Sequence, residues 1–85
     1  MKQSDAMASR SDLQDWVVDA LREHGGKASI VDVARSLWAR HEQDLRHSGD
    51  LFYTWQYDMR WACTQLRTRK LVQPAEASEP GIWHL

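Results

Sequence analysis

Apolar residues recur at helical spacing near the start of the chain, between two polar borders. One face of this stretch collects Leu13, Trp16, Val17, Ala20, Leu21 and His24. Ser11 followed by Gln14 is typical of a capping box, and Gly25-Gly26 is a stop signal. The pattern predicts a first helix between these borders. The polar, aperiodic residues 1–10 before it predict a flexible arm.

The next segment predicts a longer helix of about four turns. Its apolar face consists of Ile30, Val33, Ala34, Leu37, Trp38, His41 and Leu45. Ser29 is a favourable N-cap with Asp32 at the N3 position, and Gly49 ends the helix. Between the two helices, residues 27–29 are expected to be too short for more than a single β-bridge.

A third helix is predicted over residues 54–70, with Thr54 as its N-cap. Its apolar face consists of Trp55, Met59, Ala62, Cys63 and Leu66. After it, "LVQP" and "IWHL" are short strand signals separated by a turn-rich segment that contains Pro80-Gly81. Three helices followed by a C-terminal β-hairpin predict a mainly α, winged helix-turn-helix domain over residues 11–85, in which the hairpin loop is the wing.

The charge distribution adds more to this picture than the composition does. The 85 residues make one small domain, whose net charge of −1 argues mildly against non-specific binding to nucleic acid. Residues 1–50 carry a net charge of −2, however, whereas residues 53–73 carry four basic residues against Asp58 alone. Positive charge is therefore concentrated on the third helix, which favours a polyanionic partner.

Cysteine usage and hydropathy indicate a cytoplasmic protein. Cys63 is the only cysteine, so no internal disulfide can form. No apolar run reaches the length of a membrane helix, and the N-terminus lacks the apolar stretch of a signal peptide. We therefore expect no membrane association.

A polar stripe on the third helix is the main functional signal. Gln pairs well with adenine, Arg with guanine, and Thr with a base or a phosphate. The stripe is expected to read bases, the residues at the start of the helix to contact the DNA backbone, and the last two basic residues to contact phosphates. The predicted DNA-binding residues are Thr54, Gln56, Tyr57, Arg60, Thr64, Arg67, Arg69 and Lys70. The alternative for this stripe is an ordinary solvated helix face.

The tryptophans divide into two groups. Trp16, Trp38 and Trp55 fall on apolar helix faces and are predicted to be core residues. Trp61 lies about 130° from the apolar stripe of its helix at 100° per residue. It is expected to pack under the C-terminal hairpin near Trp83, and the alternative is a stacking platform for a base.

No catalytic, cofactor or metal motif is visible. The histidines are scattered, Cys63 falls at the edge of an apolar face, and Gly25-Gly26 precedes no phosphate-binding motif. We therefore expect no enzymatic activity, no cofactor, no metal and no small-molecule substrate.

Several short motifs lie along residues 13–85: Gly25-Gly26-Lys27-Ala28-Ser29, Arg60-Trp61-Ala62 with Leu66, Leu71-Val72, and Gly81-Ile82-Trp83-His84-Leu85. Together they resemble the N-terminal winged-helix domain of Mrr-like restriction endonucleases. The resemblance implies a winged helix that binds DNA. We expect a role related to restriction or to transcription regulation. It does not extend to a nuclease domain, so it implies no cleavage.

Two functions follow from these observations. The first is binding of double-stranded DNA, with helix 54–70 as the recognition helix. The alternative is a protein–protein interaction module without direct DNA contact, which the wing favours because it carries Glu76 and Glu79 and no basic residue. A homodimer is compatible with either function.

Overall fold

Three helices and two short strands make up residues 8–85, the part of the chain that the computed structural model describes. The helices are α1 (Asp12–Glu23), α2 (Ile30–Arg46) and α3 (Leu51–Thr68). The strands are β1 (Lys27–Ser29) and β2 (Ile82–His84), and a 3-10 turn at Ala75–Ala77 lies between α3 and β2. The predicted class, mainly α with a small two-stranded sheet in a winged-helix-like arrangement, is confirmed. None of the helices in this range is both long and apolar enough to cross a membrane.

The hydrogen bonds that cap α1 lie two residues earlier in the chain than predicted. Ser11 makes no side-chain cap bond. Instead, the Ser9 N–H donates to Asp12 Oδ2 at 2.9 Å, and the Asp12 N–H donates to Ser9 O at 3.0 Å. Gln14, the predicted capping partner, accepts a hydrogen bond from Arg69 Nη1 at 2.7 Å. This bond ties the start of α1 to the end of α3.

Ser29 caps α2 as predicted, because its hydroxyl accepts the Asp32 N–H at 3.1 Å. The helix is interrupted at His41, whose φ of −127° and ψ of 19° are not helical. Beyond Arg46, residues 47–50 form the turn into α3. Gly49 has a φ of +64° there, a value that glycine adopts without steric cost.

Helix α3 begins three residues before its predicted start. Asp50 occupies the N-cap, and residues 51–53, expected in a loop, form the first turn. Leu51 and Phe52 are half-buried, four and three residues before the buried Trp55, so extending the helix buries them on the same face. Thr54 is therefore an interior residue of the helix, and its prediction as N-cap was wrong.

The sheet joins the segment between α1 and α2 to the C-terminal strand. Strand β2 pairs antiparallel with β1 over three residues, in a register that sets Trp83 opposite Ala28. The expectation of no more than a single β-bridge at residues 27–29 was therefore wrong. The predicted strand partner at residues 71–74 is irregular, and in the described residues its one ladder-type bond runs from the Gln73 N–H to His84 O at 2.7 Å. Pro74 has no N–H to continue a ladder. The pairing of β2 with β1 thus anchors the C-terminal end of the wing, residues 73–81, to the segment between α1 and α2.

The core lies between the three helices and is closed by the sheet. Its most deeply buried members are Leu13, Val17, Leu21, Val33, Leu37, Leu45, Met59, Ala62 and Leu66. Trp55 and Cys63 are buried as predicted, whereas Trp16 and Trp38 are half-buried and pack at the edge of the core. Burial of this apolar surface supplies the main stabilisation of a domain without disulfides.

Residues 8–10 pack against α3. The remainder of the predicted arm, residues 1–7, lies outside the described residues. Ala8 is buried, and the Arg10 Nε lies 3.3 Å from Asp58 Oδ1. The Arg10 guanidinium carbon also sits 3.9 Å from the ring centroid of Trp61. Trp61 is therefore covered by an arginine of the N-terminal segment, a neighbour that helix periodicity did not predict.

Candidate nucleic-acid interface

Helix α2, the turn at residues 47–50 and α3 form a helix-turn-helix that leaves one side of α3 open. The exposed residues of that side are Tyr53, Gln56, Tyr57, Arg60 and Thr64, which we call the outer face of α3. Their spacing places them within about one third of the helix circumference at 100° per residue. The opposite side of α3 carries the buried Trp55, Met59 and Leu66. One helix thus packs with one side and presents a polar and aromatic surface with the other.

The outer face combines hydrogen-bonding and aromatic groups. Gln56 and Arg60 offer amide and guanidinium groups with several donors. The Thr64 hydroxyl donates to the backbone oxygen of Arg60 at 3.2 Å, which leaves its oxygen free to accept. Tyr53 and Tyr57 are 83% and 74% exposed. Both rings are therefore open to solvent and accessible to a binding partner.

Thr54 does not belong to this surface. Its hydroxyl donates to Asp58 Oδ2 at 2.7 Å, on the flank where Asp58 also meets Arg10. The sequence placed Thr54 at the helix start, where it would meet the DNA backbone. The structure gives it a partner within the helix instead, because α3 begins at Leu51.

Three basic residues predicted to contact DNA lie near the end of α3, and two of them donate hydrogen bonds to other parts of the domain. Arg67 is half-buried, and its Nε donates to Gln73 O at 3.0 Å, which fixes the start of the wing. Arg69 points toward α1, where its guanidinium donates a hydrogen bond to the Gln14 side chain. Lys70 is exposed and has a φ of +64°, at the point where the Leu71 N–H closes the helix by bonding to Leu66 O at 2.9 Å.

The arginines divide sharply by their carboxylate partners. Five of them form ion pairs with nitrogen–oxygen distances of 2.7–3.9 Å: Arg10 with Asp58, Arg22 with Asp19, Arg35 with Asp32, Arg40 with Glu23, and Arg46 with Glu42. Across residues 8–85, no carboxylate pairs with Arg60, Arg67, Arg69 or Lys70. Arg60 and Arg67 on α3, and Arg69 and Lys70 just after it, thus carry positive charge that no carboxylate of residues 8–85 neutralises in an ion pair.

An open groove of about 670 Å³ separates α2 from α3 next to the outer face. Trp38, Phe52, Trp55 and Met59 contribute its apolar part. Arg35 on α2 and Gln56 with Arg60 on α3 contribute its polar groups, and no acidic residue lines it. Sequence patterning did not reveal this groove, because its walls come from the facing flanks of two helices.

The wing is acidic and exposed. Glu76 lies in the 3-10 turn and Glu79 follows shortly after, and both side chains are open to solvent. The wing starts beside the C-terminal half of α3, as the bond from Arg67 to Gln73 shows. Negative charge thus borders the basic end of α3.

The remaining chemistry-bearing residues do not converge. No group of three or more His, Cys, Asp or Glu in the described residues is placed to hold a metal ion. Burial raises the pKa of the Cys63 thiol to about 11, so almost none of it is thiolate at neutral pH. His24 bonds to Ser36 and His47 to the backbone of Gln43, both ordinary surface contacts.

Comparison of this chain with known proteins finds no matching family model, curated protein or solved structure. Function is therefore inferred from the geometry and charge of the outer face of α3. Of its members, Tyr53 is the one that sequence reasoning missed. The signal was available, since Tyr53, Tyr57, Arg60 and Thr64 follow helical spacing once the helix is allowed to start at Leu51.

Proposed function

We propose that this domain binds double-stranded DNA, with α3 as the recognition helix in the major groove. The observation that carries the proposal is Arg60. Its guanidinium lies at the centre of the outer face of α3 and has no carboxylate partner among residues 8–85, whereas the five arginines that precede α3 in these residues are all paired. An ion pair compensates the charge of an arginine within the fold, whereas an exposed, unpaired arginine on a presented helix is suited to an anionic ligand.

The outer face offers groups that discriminate bases. Arg60 can donate two hydrogen bonds to a guanine edge, and Gln56 can pair with adenine. The Thr64 oxygen can accept from a base amino group, and its hydroxyl can donate to a phosphate if it turns away from Arg60 O. Tyr53 and Tyr57 can meet thymine methyl groups with their rings, or phosphates with their hydroxyls. Lys70 adds a phosphate contact at the end of the helix, while Arg67 and Arg69 have secondary roles because their side chains hold the wing and α1.

The biological setting is part of the same proposal. The resemblance to the winged-helix domain of Mrr-like restriction endonucleases supports DNA binding. With it we propose a cytoplasmic, non-enzymatic role in restriction or transcription regulation. The acidic wing would stay off the phosphates, so the affinity would come from α3 alone and would be modest. A homodimer would double the contact area and raise that affinity.

An amide-shift titration with a short mixed-sequence duplex tests the proposal. At about 50 mM salt, shifts should concentrate at residues 53–64 and Lys70, and about 200 mM salt should remove most of them, because phosphate contacts release counterions. Arg60→Ala should weaken binding about tenfold or more, since a bidentate contact to a base contributes about 1–3 kcal/mol. Arg22→Ala, which removes an equal charge from α1, is the matched control and should have a small effect.

A protein-interaction module is the second candidate, and the acidic wing favours it. Glu76 and Glu79 are exposed and have no ion-pair partner among the described residues, so they would suit a partner with a basic surface. Absence of any shift with DNA at low salt would replace the first proposal with this one. A pull-down that loses its partner in Glu76→Lys/Glu79→Lys would then support it.

A further inference from the structure

We propose that the groove between α2 and α3 binds a small planar aromatic carboxylate. The two parts of such a molecule, a flat apolar ring and an anionic group, correspond to two parts of the groove. The site itself does not depend on DNA binding. Its consequence for DNA, given below, rests on the proposed function.

The apolar part of the groove is aromatic and large enough for a ring system. Trp38 and Trp55 lie nearly parallel, with ring centroids 5.9 Å apart and 14° between their planes. Phe52 is tilted by 40° against Trp38 at 6.4 Å. The volume of about 670 Å³ falls in the range of small-molecule sites. Aromatic rings favour flat ligands, because offset stacking and edge contacts add to the burial of apolar area.

The polar part of the groove selects a negative charge. Arg35 and Arg60 stand on opposite walls, one from each helix, and no carboxylate lines the groove. Arg60 has no carboxylate partner in the described residues. Arg35 pairs with Asp32 at 3.6 Å, but the Arg35 side chain is 78% exposed, so its guanidinium stays accessible to a ligand. Gln56 adds an amide donor on the α3 side. Guanidinium groups pair with carboxylates through two parallel hydrogen bonds, so the ligand carboxylate has a defined position between the walls.

The groove shares Gln56 and Arg60 with the outer face of α3. A carboxylate bound to Arg60 would therefore compete with DNA for the same guanidinium. If the proposed DNA-binding function is correct, the ligand acts as an effector that releases the domain from DNA. The linkage is reciprocal, so DNA would weaken ligand binding by the same factor.

A charge series on one ring system tests the site. The probes are 2-naphthoate, 2-naphthamide and 2-naphthylmethylammonium, titrated against the free domain while the indole N–H signals of Trp38 and Trp55 are followed. At low salt, naphthoate should bind roughly tenfold more tightly than the neutral amide, and the cation should bind most weakly. Equal binding of the three probes, or no shift at either indole, would overturn the proposal.

Substitutions at Val31 separate charge from packing. Val31 lines the groove, is 58% exposed, and lies in the first turn of α2. Val31→Glu should keep the fold, because an acidic residue is favourable there, and should weaken naphthoate binding roughly three- to tenfold. Val31→Lys, of similar size, should strengthen it. Identical affinities of the two variants would count against a charge-selective groove, and Arg22→Met on α1 should leave the affinity unchanged.

A competition experiment separates this site from the proposed function. With DNA bound, 2-naphthoate should displace the duplex, whereas 2-naphthamide at equal concentration should displace much less. If naphthoate binds with the expected charge preference but the duplex never binds, the groove site stands and the DNA proposal fails. If the duplex binds and naphthoate leaves the indole signals unshifted, the groove site fails and the DNA proposal stands.

Discussion

The imidazole of His41 lies parallel to the indole of Trp16, with ring centroids 3.7 Å apart and an interplanar angle of 3°. The stack joins α1 to α2 at the residue where α2 departs from helical geometry. Burial lowers the pKa of His41 below its ordinary value of 6.5, an effect that the nearby Asp44 carboxylate partly opposes and Arg40 reinforces. The contact between the two helices therefore favours the neutral imidazole.

The free energy of unfolding should fall as the pH drops below about 6.5. The unfolded chain takes up a proton at His41 near its ordinary pKa, whereas the folded chain takes it up only at lower pH. Between these values the unfolded state binds more protons, so acidification favours it. Urea unfolding at about pH 7.5 and about pH 5.5 measures the effect. The His41→Gln variant should lose less stability over this pH interval than the parent protein. The other histidines are common to both proteins, so an equal loss would show that His41 is not the group responsible.

The contact of Arg10 with Asp58 should couple the N-terminal segment to α3. Asp58 is nearly buried and also accepts the Thr54 hydroxyl, while Arg10 additionally covers the ring of Trp61. Arg10→Ala should lower the free energy of unfolding by about 1–2 kcal/mol, because it uncovers the indole and leaves a poorly solvated carboxylate with one partner.

A double-mutant cycle of Arg10→Ala with Asp58→Asn measures the coupling, which should be about 1 kcal/mol. The pair Arg22–Asp19 is the control. Its nitrogen–oxygen distance is 3.9 Å and both side chains are more than half exposed, so its coupling should be close to zero. Comparable coupling in the two pairs would show that burial of Asp58 adds nothing.

The sequence predicted the helices well, because each has an apolar face that must be buried. It misplaced features that depend on contacts between distant residues. Helix α3 starts early because Leu51 and Phe52 add to a core face, and β2 pairs with β1, a segment more than 50 residues away that sequence patterning did not connect with it. Neither the bond of Gln14 to Arg69 nor the stacking of Arg10 on Trp61 has a local signature.

The candidate site was predicted in part for the same reason. Gln56, Tyr57, Arg60 and Thr64 follow from helix periodicity and are exposed together on α3. Periodicity could not tell that Arg67 bonds to the wing, that Arg69 bonds to α1, or that Thr54 bonds to Asp58. Those partners depend on how the helices pack.

Replacing Lys70 by glycine should stabilise the fold and weaken DNA binding. A φ of +64° costs a residue with a Cβ about 1 kcal/mol relative to glycine. Thermal or urea unfolding should therefore show Lys70→Gly to be more stable by about that amount. Lys70→Ala separates the two effects, because it removes the charge and keeps the Cβ. It should weaken DNA binding equally without the gain in stability.

Reversing the charge of the wing should strengthen DNA binding. Glu76→Lys/Glu79→Lys replaces two carboxylates beside the basic end of α3 with ammonium groups that can neutralise phosphates. The affinity should rise by about tenfold or more at low salt, and the salt dependence should steepen. The matched control is Asp15→Lys/Asp19→Lys, which makes the same change in net charge on α1. A similar gain in both variants would mean that net charge, and not the position of the wing, governs binding.

The pairing of β1 with β2 also determines the order in which the domain can assemble and open. Only a few residues connect each helix to the next, so consecutive helices can pack after a short loop closes. The sheet, in contrast, must bring together Ala28 and Trp83, which are far apart in the chain. With three residues in each strand, the sheet has few bonds to hold it closed. We therefore expect its amides, including the Leu85 N–H on Gly26 O, to exchange with solvent sooner than those in the middle of α3. Such openings would release the wing from the side of α3 while the three helices stay assembled.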